Sequence, residues 1–423
     1  MSYESARKEG IVNEAGPVRI GEIEIQARLY NGEFGTRWLT LQGCPVEVVH
    51  FGDWNREAGP DFKNATIVFE NGERITGDIE LDWEALDWER HGHATNPAYA
   101  GVQLHFFVSP SSERSFARTV DHREISQVLL SIESSASVSF SKAPEFVEIS
   151  DAKAMIQEAA DFRLRNKNAA HARAVSLHGH GIALFHAIAS GMGYKNNAVP
   201  FLLAAQRTGL KEAGAPTGEA VLFGLAGFLE PRTFDEADEI TRRYLKPLWD
   251  HWWTIRDSMA RLVLPKSIWK FSGIRPSNHP HRRLGALAAV AVGFENLQKQ
   301  IRSKSTEGFL AFFEKLSHPY WSHHWNLSAQ ALEKKMALVG GDRAGDLLVN
   351  AYLPSLPLES SRDAMQKLRG PYPSGRVLRA LDWLVGRDEP SLRRTMADHQ
   401  GLIQLYADFG SLSPLEAWAR IRG

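Results

Sequence analysis

The sequence predicts an α+β protein, with a β-rich α/β unit over residues 1–140 followed by a mostly α-helical, basic domain over residues 141–423. Three observations lead there. Before about residue 140 the apolar residues come in short alternating runs, most of them bounded by Gly, Pro, Asn or Asp, which is the pattern of strands. After it, longer runs of helix formers repeat their apolar residues at helical spacing. The charge also changes sign: residues 1–150 hold 13 Lys and Arg against 24 Asp and Glu, and the remainder hold 36 against 26. Charges of −11 and +10 thus sit within a chain of net −1.

The alternating runs are residues 22–30, 38–41, 46–51, 65–70, 75–83, 102–108 and 127–132. ATIVFE and ITGDIELDW flank Asn71-Gly72, and Asn-Gly supplies the positive φ that a tight hairpin turn requires. Residues 109–115 read as a loop, and the serine-rich stretch 131–141 as the linker. Helices are expected at 151–174, 181–190, 199–208, 219–228, 234–253, 281–303 and 306–316. Further ones follow at 327–339, 344–351, 360–368, 374–385, 390–409 and 412–422. No fixed period marks a solenoid.

Composition mainly excludes. A chain of 423 residues exceeds one simple core, hence two domains. No apolar run approaches the ~20 residues of a membrane span, and residues 1–10 are polar with no signal-peptide core, so a cytoplasmic protein without membrane attachment is expected. The single cysteine, Cys44, excludes an intramolecular disulfide and any thiolate zinc cluster. A metal would have to be held by carboxylate and imidazole. The chain has no GxSxG elbow and no GxGxxG fingerprint, and His178-Gly179-His180-Gly181 lacks the Lys-Ser/Thr ending of a P-loop. Oligomeric state leaves no mark in the sequence.

Residues 53–105 concentrate the chemistry, with Asp61, Asp78, Glu80, Asp82, His91, His93 and His105 among the strands. Alternation puts Asp78, Glu80 and Asp82 on one strand face and Ile79, Leu81 and Trp83 on the other. Three such carboxylates repel each other. A solvated face tolerates that, whereas an enclosed one needs a cation, raised pKa values, or nearby Arg and Lys. Around His91-Gly92-His93 an extended backbone points both imidazoles to one side, while a helix sets them about 200° apart; Gly92 favours the extended or loop case. Each histidine alone reads equally as a satisfied structural hydrogen-bonding group, but three between positions 91 and 105 point to a shared site. Asp61 fits either a ligand or a turn-stabilising role. In the helical part, Arg275, His279, His281, Arg282 and Arg283 form the densest basic cluster. It suits an anion at a helix start, or ion pairing with the acidic half.

Several phrases, in order, resemble a bacterial family of unknown function, domain of unknown function 2851. They are NREAGPDFKNA (residues 55–65), GDIEL (77–81), DWERHGH (87–93), NPAYAGVQLH (96–105), GEAVLFGLAGFLE (218–230), RPSNHPHRRL (275–284) and HQGLIQLYADF (399–409). The resemblance spans nearly the whole chain and implies no reaction. Many members carry His where this chain has Asp82, and some carry a Cys cluster where it has Gly410 to Ser413, which argues against a C-terminal zinc knuckle here.

The order Pro60-Asp61, strand, turn, Asp78-x-Glu80-x-Asp82, helix, strand is also similar to the core of the PD-(D/E)XK nucleases, a restriction-endonuclease-like fold. That similarity implies Mg²⁺ held by Asp61 and Glu80, with Asp78 and Asp82 assisting. The lysine expected two residues after Glu80 is replaced by Asp82, so His91, His93 or His105 would have to handle the proton. The leading expectation is therefore a metal-dependent phosphodiesterase or nuclease-like hydrolase acting on nucleic acid. Mg²⁺ or Mn²⁺ would be its cofactor, and Arg275, Arg282 and Arg283 would grip phosphate. Mixed His and carboxylate ligands also suit Zn²⁺. The alternatives are a non-catalytic binding or scaffold protein, in which the acidic and basic halves hold each other, and a non-nuclease Zn²⁺ or Mn²⁺ metallohydrolase.

Overall fold

The computed structural model describes residues 22–55, 59–69, 72–109, 117–130, 148–272, 274–302 and 305–409. The expected linker at 131–141, the body of the loop at 109–115, Asn71 of the hairpin turn and the helix at 412–422 lie outside them.

Helix α1 (Glu22–Tyr30) leads into strands β1 (Arg37–Leu39), β2 (Pro45–His50), β3 (Asp53–Trp54), β4 (Phe62–Phe69) and β5 (Arg74–Glu84). The short helix α2 (Asp87–Arg90) and two 3-10 turns then connect to β6 (Val102–Ser109) and β7 (Ser126–Leu129). The sheet order is β1-β2-β4-β5-β6-β7, with β3 also pairing on β4. Pairing is antiparallel as far as β5, and parallel from β5 to β6 and from β6 to β7. The sheet is thus a meander extended by two crossovers. The helical region comprises α3 (Ile149–His178), α4 (His180–Met192), α5 (Tyr194–Thr208), α6 (Leu210–Ala213), α7 (Gly218–Leu225), α8 (Pro231–Asp235), α9 (Glu239–Met259), α10 (Pro280–Val292), α11 (Phe294–Ile301), α12 (Thr306–Lys315), α13 (Gly341–Leu347), α14 (Leu358–Lys367), α15 (Gly375–Val385) and α16 (Met396–Phe409). The protein is α+β, with its mixed sheet N-terminal and its helices C-terminal.

Among the described residues, packing groups 22–130 with 171–352 in one unit, and 148–170 with 353–409 in another. Helical segments therefore contribute to both units. In the second, Ile156, Trp383, Leu384, Leu402 and Leu405 sit in one apolar core. In the first, α1 is joined to the helices through backbone carbonyls: Arg173 donates to Gly32, and His178 contacts the Tyr30 carbonyl oxygen. The Tyr30 ring completes an aromatic cluster with Phe51, Trp54 and Phe62. No helix among the described residues is long and apolar enough to cross a membrane.

Three elements differ from expectation. Residues 22–30 form a helix, not a strand. Their apparent alternation also places Ile25 and Leu29 one helical turn apart, both fully buried, in a run rich in Glu, Gln, Ala and Leu. The long helix expected at 281–303 is broken at Gly293 into α10 and α11. Residues 327–339 are not helical. The buried guanidinium of Arg282 donates to the carbonyls of Trp321, His324 and Ala337, and the Leu332 and Met336 amides pair with the carbonyls of His323 and Ser322. These long-range bonds take the place of a helical ladder.

Candidate metal centre

Strand β5 is the spine of the site. Its parallel register sets Glu80 beside His105 of β6, and His105 lies beside Gln127 of β7, so one face carries a polar row across three strands. Asp82 follows two residues after Glu80 on the same face, where its Oδ2 lies 3.1 Å from His105 Nε2. Gln127 Nε2 sits 3.1 Å from His105 Nδ1. With that amide as donor, His105 Nδ1 accepts and Nε2–H is turned towards Asp82. His105 is fully buried and Asp82 is 2% exposed.

His91 and His93 reach this face through a turn. Helix α2 ends at His91, Gly92 takes a left-handed φ of 75°, and His93 opens a 3-10 turn. The glycine torsion achieves what an extended backbone would have done. His91 Nδ1 pairs with Asp82 Oδ1 at 2.9 Å, while half of its side chain remains exposed. His93 lies deeper, 7% exposed, with Nε2 at 3.5 Å from Glu80 Oε1 and 3.8 Å from Asp82 Oδ1. Neither of its ring nitrogens has a hydrogen-bond partner. The Trp88 ring walls both His93 and His105, each centroid at 5.3 Å, and Tyr99 lies 4.0 Å from His93.

Asp61 arrives from β4 through a reciprocal exchange. Its N–H donates to Glu80 Oε2, and its own Oδ2 accepts from the Leu81 N–H, both at 2.9 Å. Gln26 Nε2 donates to Asp61 Oδ1 at 2.8 Å and to Glu22 Oε1 at 3.2 Å, and Trp54 Nε1 donates to Gln26 Oε1 at 3.3 Å. Glu22 and Gln26 were missed by sequence reasoning because their segment read as a strand. Their spacing of four residues would have marked one helix face. Asp78 is set apart: its Oδ1 accepts from the Asn64 N–H, at a positive φ of 59° where the β4–β5 register shifts. It secures the bulge. Asn55 fixes the turn before Asp61, donating from Nδ2 to the Pro60 carbonyl.

The site resolves its carboxylate crowding in two ways. Burial raises the Asp61 and Glu80 carboxyls above their ordinary range, and each is pushed further by neighbouring acids. Burial also acts to raise Asp82, but the hydrogen bond with His105 and the nearby His93 imidazole outweigh it and hold that carboxyl well below its ordinary range. No Lys or Arg is among the groups that bear most strongly on any of the three. Protons and imidazoles offset the charge here.

A divalent cation fits this donor set. One ligand atom from each of Asp82, His91 and His93 lies within 4.8 Å of the others. The 3.5 Å between His93 Nε2 and Glu80 Oε1 corresponds to an angle of about 113° at an ion about 2.1 Å from each, close to tetrahedral. The His93 imidazole has a ring nitrogen free of hydrogen bonds on that side. Asp61, Glu80, Asp82, His91, His93 and His105 are thus brought together, and Asp78 is not.

The basic cluster divides. Arg275 is exposed, Arg282 is spent on backbone carbonyls, and Arg283 donates from Nη2 to Asn278 Oδ1 at 2.7 Å. A cleft of about 520 Å³ lies elsewhere, in the other packing unit, lined by Gln157, Asp161, Arg165, Arg362 and Met365. It holds none of the carboxyl and imidazole groups gathered on β5 and β6, so chemistry rather than a cleft locates the site. Neither the curated proteins nor the solved structures contain a match to the chain. Residues 33–369 match the family described as "Protein of unknown function (DUF2851)", and the chain belongs to that family.

Proposed function

We propose that the protein is a divalent-cation-dependent hydrolase of phosphodiesters, with nucleic acid as the substrate class. One observation carries this reading: a buried imidazole without partners, His93, aimed between one carboxyl held protonated and one held ionised. Glu80, Asp82 and His93 would hold the ion, with Asp61 fixing Glu80 through their shared hydrogen bond. When bound, Mg²⁺, Mn²⁺ or Zn²⁺ supplies Lewis-acid chemistry and neutralises charge on a phosphate group. Asp82 orients His91 through Nδ1, which leaves Nε2 on the half-exposed side as acceptor for a proton from the attacking water. His105 and Gln127 hold the far oxygen of Asp82. Trp88 and Tyr99 exclude water from the inner wall. A single exposed thiol, Cys44, fits a reducing cytoplasm.

The test is thermal unfolding of chelator-treated protein with each ion added back, followed by hydrolysis assays on an activated phosphodiester and on DNA and RNA. Ion binding to the native state must raise the transition. We expect an ion-specific rise that disappears in Glu80→Gln and His93→Phe, with activity lost in both. No rise with any of the three ions would sink the metal reading. An ion response without phosphodiester hydrolysis would leave a metal site serving another reaction.

A further inference from the structure

Away from the sheet, a second group of buried polar atoms lacks partners. Arg283 on α10 is 4% exposed, and its Nε and Nη1 have no hydrogen-bond partner. Arg343 on α13 keeps 10% of its side chain exposed, and its Nη2 is likewise unpartnered. Both guanidiniums are held by other contacts. Arg283 Nη2 donates to Asn278, Arg343 lies over the Tyr194 ring at 4.0 Å, and Arg343 Nη1 pairs with Asp346 at 3.2 Å. Burial lowers the Arg283 pKa to about 9, and Arg343 and then Arg282 push it the same way, so the three cations bear on one another. Asp346 is the acid that acts against them there.

We propose that Arg283 and Arg343 form a binding site for a phosphate group, with the three unpartnered nitrogens as its donors. Ordered water would satisfy a donor but would not offset charge, and buried guanidiniums require a counter-ion. Three arginines set against one aspartate leave an excess of about two positive charges. A dianionic phosphate matches that excess better than a carboxylate does, and guanidinium donors suit its oxygens. Arg282, whose donors are committed to carbonyls, contributes charge alone. The site is separate from the metal centre and does not depend on it.

The probe is inorganic phosphate, added with chelator present so that the metal centre is silent, and compared with chloride and acetate at matched ionic strength. Calorimetric binding and thermal unfolding of the full chain are read together. We expect phosphate to bind and to raise the unfolding temperature above chloride and acetate. Affinity should fall about tenfold or more in each of Arg283→Gln and Arg343→Gln. Without phosphate, Arg283→Gln should be no less stable than the parent, since it removes a buried cation crowded by two others. If Arg283→Gln does not fold, Arg343→Gln decides. No preference of the parent protein for phosphate, or a preference undiminished in Arg343→Gln, would overturn the proposal.

Discussion

Two glutamates beside histidines show how a completed hydrogen-bond network differs from an incomplete one. Glu219 on α7 accepts from the Tyr244 hydroxyl at 2.6 Å and from the Trp321 indole at 3.2 Å, and its second oxygen meets His318 Nε2 at 3.2 Å. His318 Nδ1 in turn accepts from the Tyr320 and Trp321 amides. Each of these groups has a partner. Glu80 also faces a histidine, yet that neighbour, His93, makes no hydrogen bond, and burial together with crowding by acids raises the Glu80 carboxyl. Both are glutamates beside an imidazole, Glu219 being the more exposed. What differs is completion, and an incomplete buried network destabilises unless something finishes it.

The largest expected effect tests the finished network. Glu219→Ala should cost about 1–3 kcal/mol in denaturant unfolding, because the Tyr244 hydroxyl loses its acceptor and His318 Nε2 its partner, while the Trp321 indole keeps the Tyr244 oxygen. Glu80→Gln in chelator-treated protein should change stability by less than about 1 kcal/mol, since the amide oxygen can still accept from Asp61 and one acid is removed. Equal losses in the two variants would erase the distinction.

Next in size is a pH effect. Asp61 and Glu80 bind protons more tightly in the folded than in the unfolded chain, so the stabilisation is full below their ordinary values of 3.8 and 4.5. It is lost as pH rises towards their raised folded values. Buried histidines such as His171, His186 and His279 have lowered pKa values and add stability as pH rises, so the carboxyl contribution is read as a difference: relative to Glu80→Gln, the metal-free parent should lose stability between about pH 5 and about pH 8. Asp82 has the opposite sign to Glu80: its contribution is present above 3.8 and is lost only as pH falls through its lowered folded value. A parent whose stability relative to Glu80→Gln rises across the pH 5 to 8 window would contradict this assignment.

Smaller still, His93→Phe should leave metal-free stability unchanged or slightly raised, as the new ring packs on Trp88 and Tyr99 without orphaned nitrogens. A loss above about 2 kcal/mol would mean that His93 is structural. Asp78→Asn should be the mildest, within about 0.5 kcal/mol, because Oδ1 can still accept from Asn64; the ion response should persist.

Most of the centre was legible because its geometry follows strand parity. Glu80, Asp82 and His105 share a face for reasons visible in the alternation of their neighbours, whereas Asp78, expected with them, is set apart by the register shift after it. Glu22 and Gln26 were not, since residues 22–30 satisfy a two-residue and a four-residue repeat at once and only packing decides between them. The basic cluster was legible as composition but not as role. Arg282 and Arg283 are sequence neighbours, yet one guanidinium meets three carbonyls and the other keeps donors unspent. Long-range contacts between residues 280 and 340 fix that difference, and no local pattern records them.

The left-handed torsion at Gly92 has a mechanical consequence. An added Cβ there would meet nothing within 4 Å, so a substitution is opposed by backbone preference rather than by collision. His91 and His93 flank that bond, one at the solvent edge and one at the inner wall. A single soft degree of freedom therefore sets the reach of both rings, and tuning residue 92 would shift the two in concert while leaving the packed interior as it is.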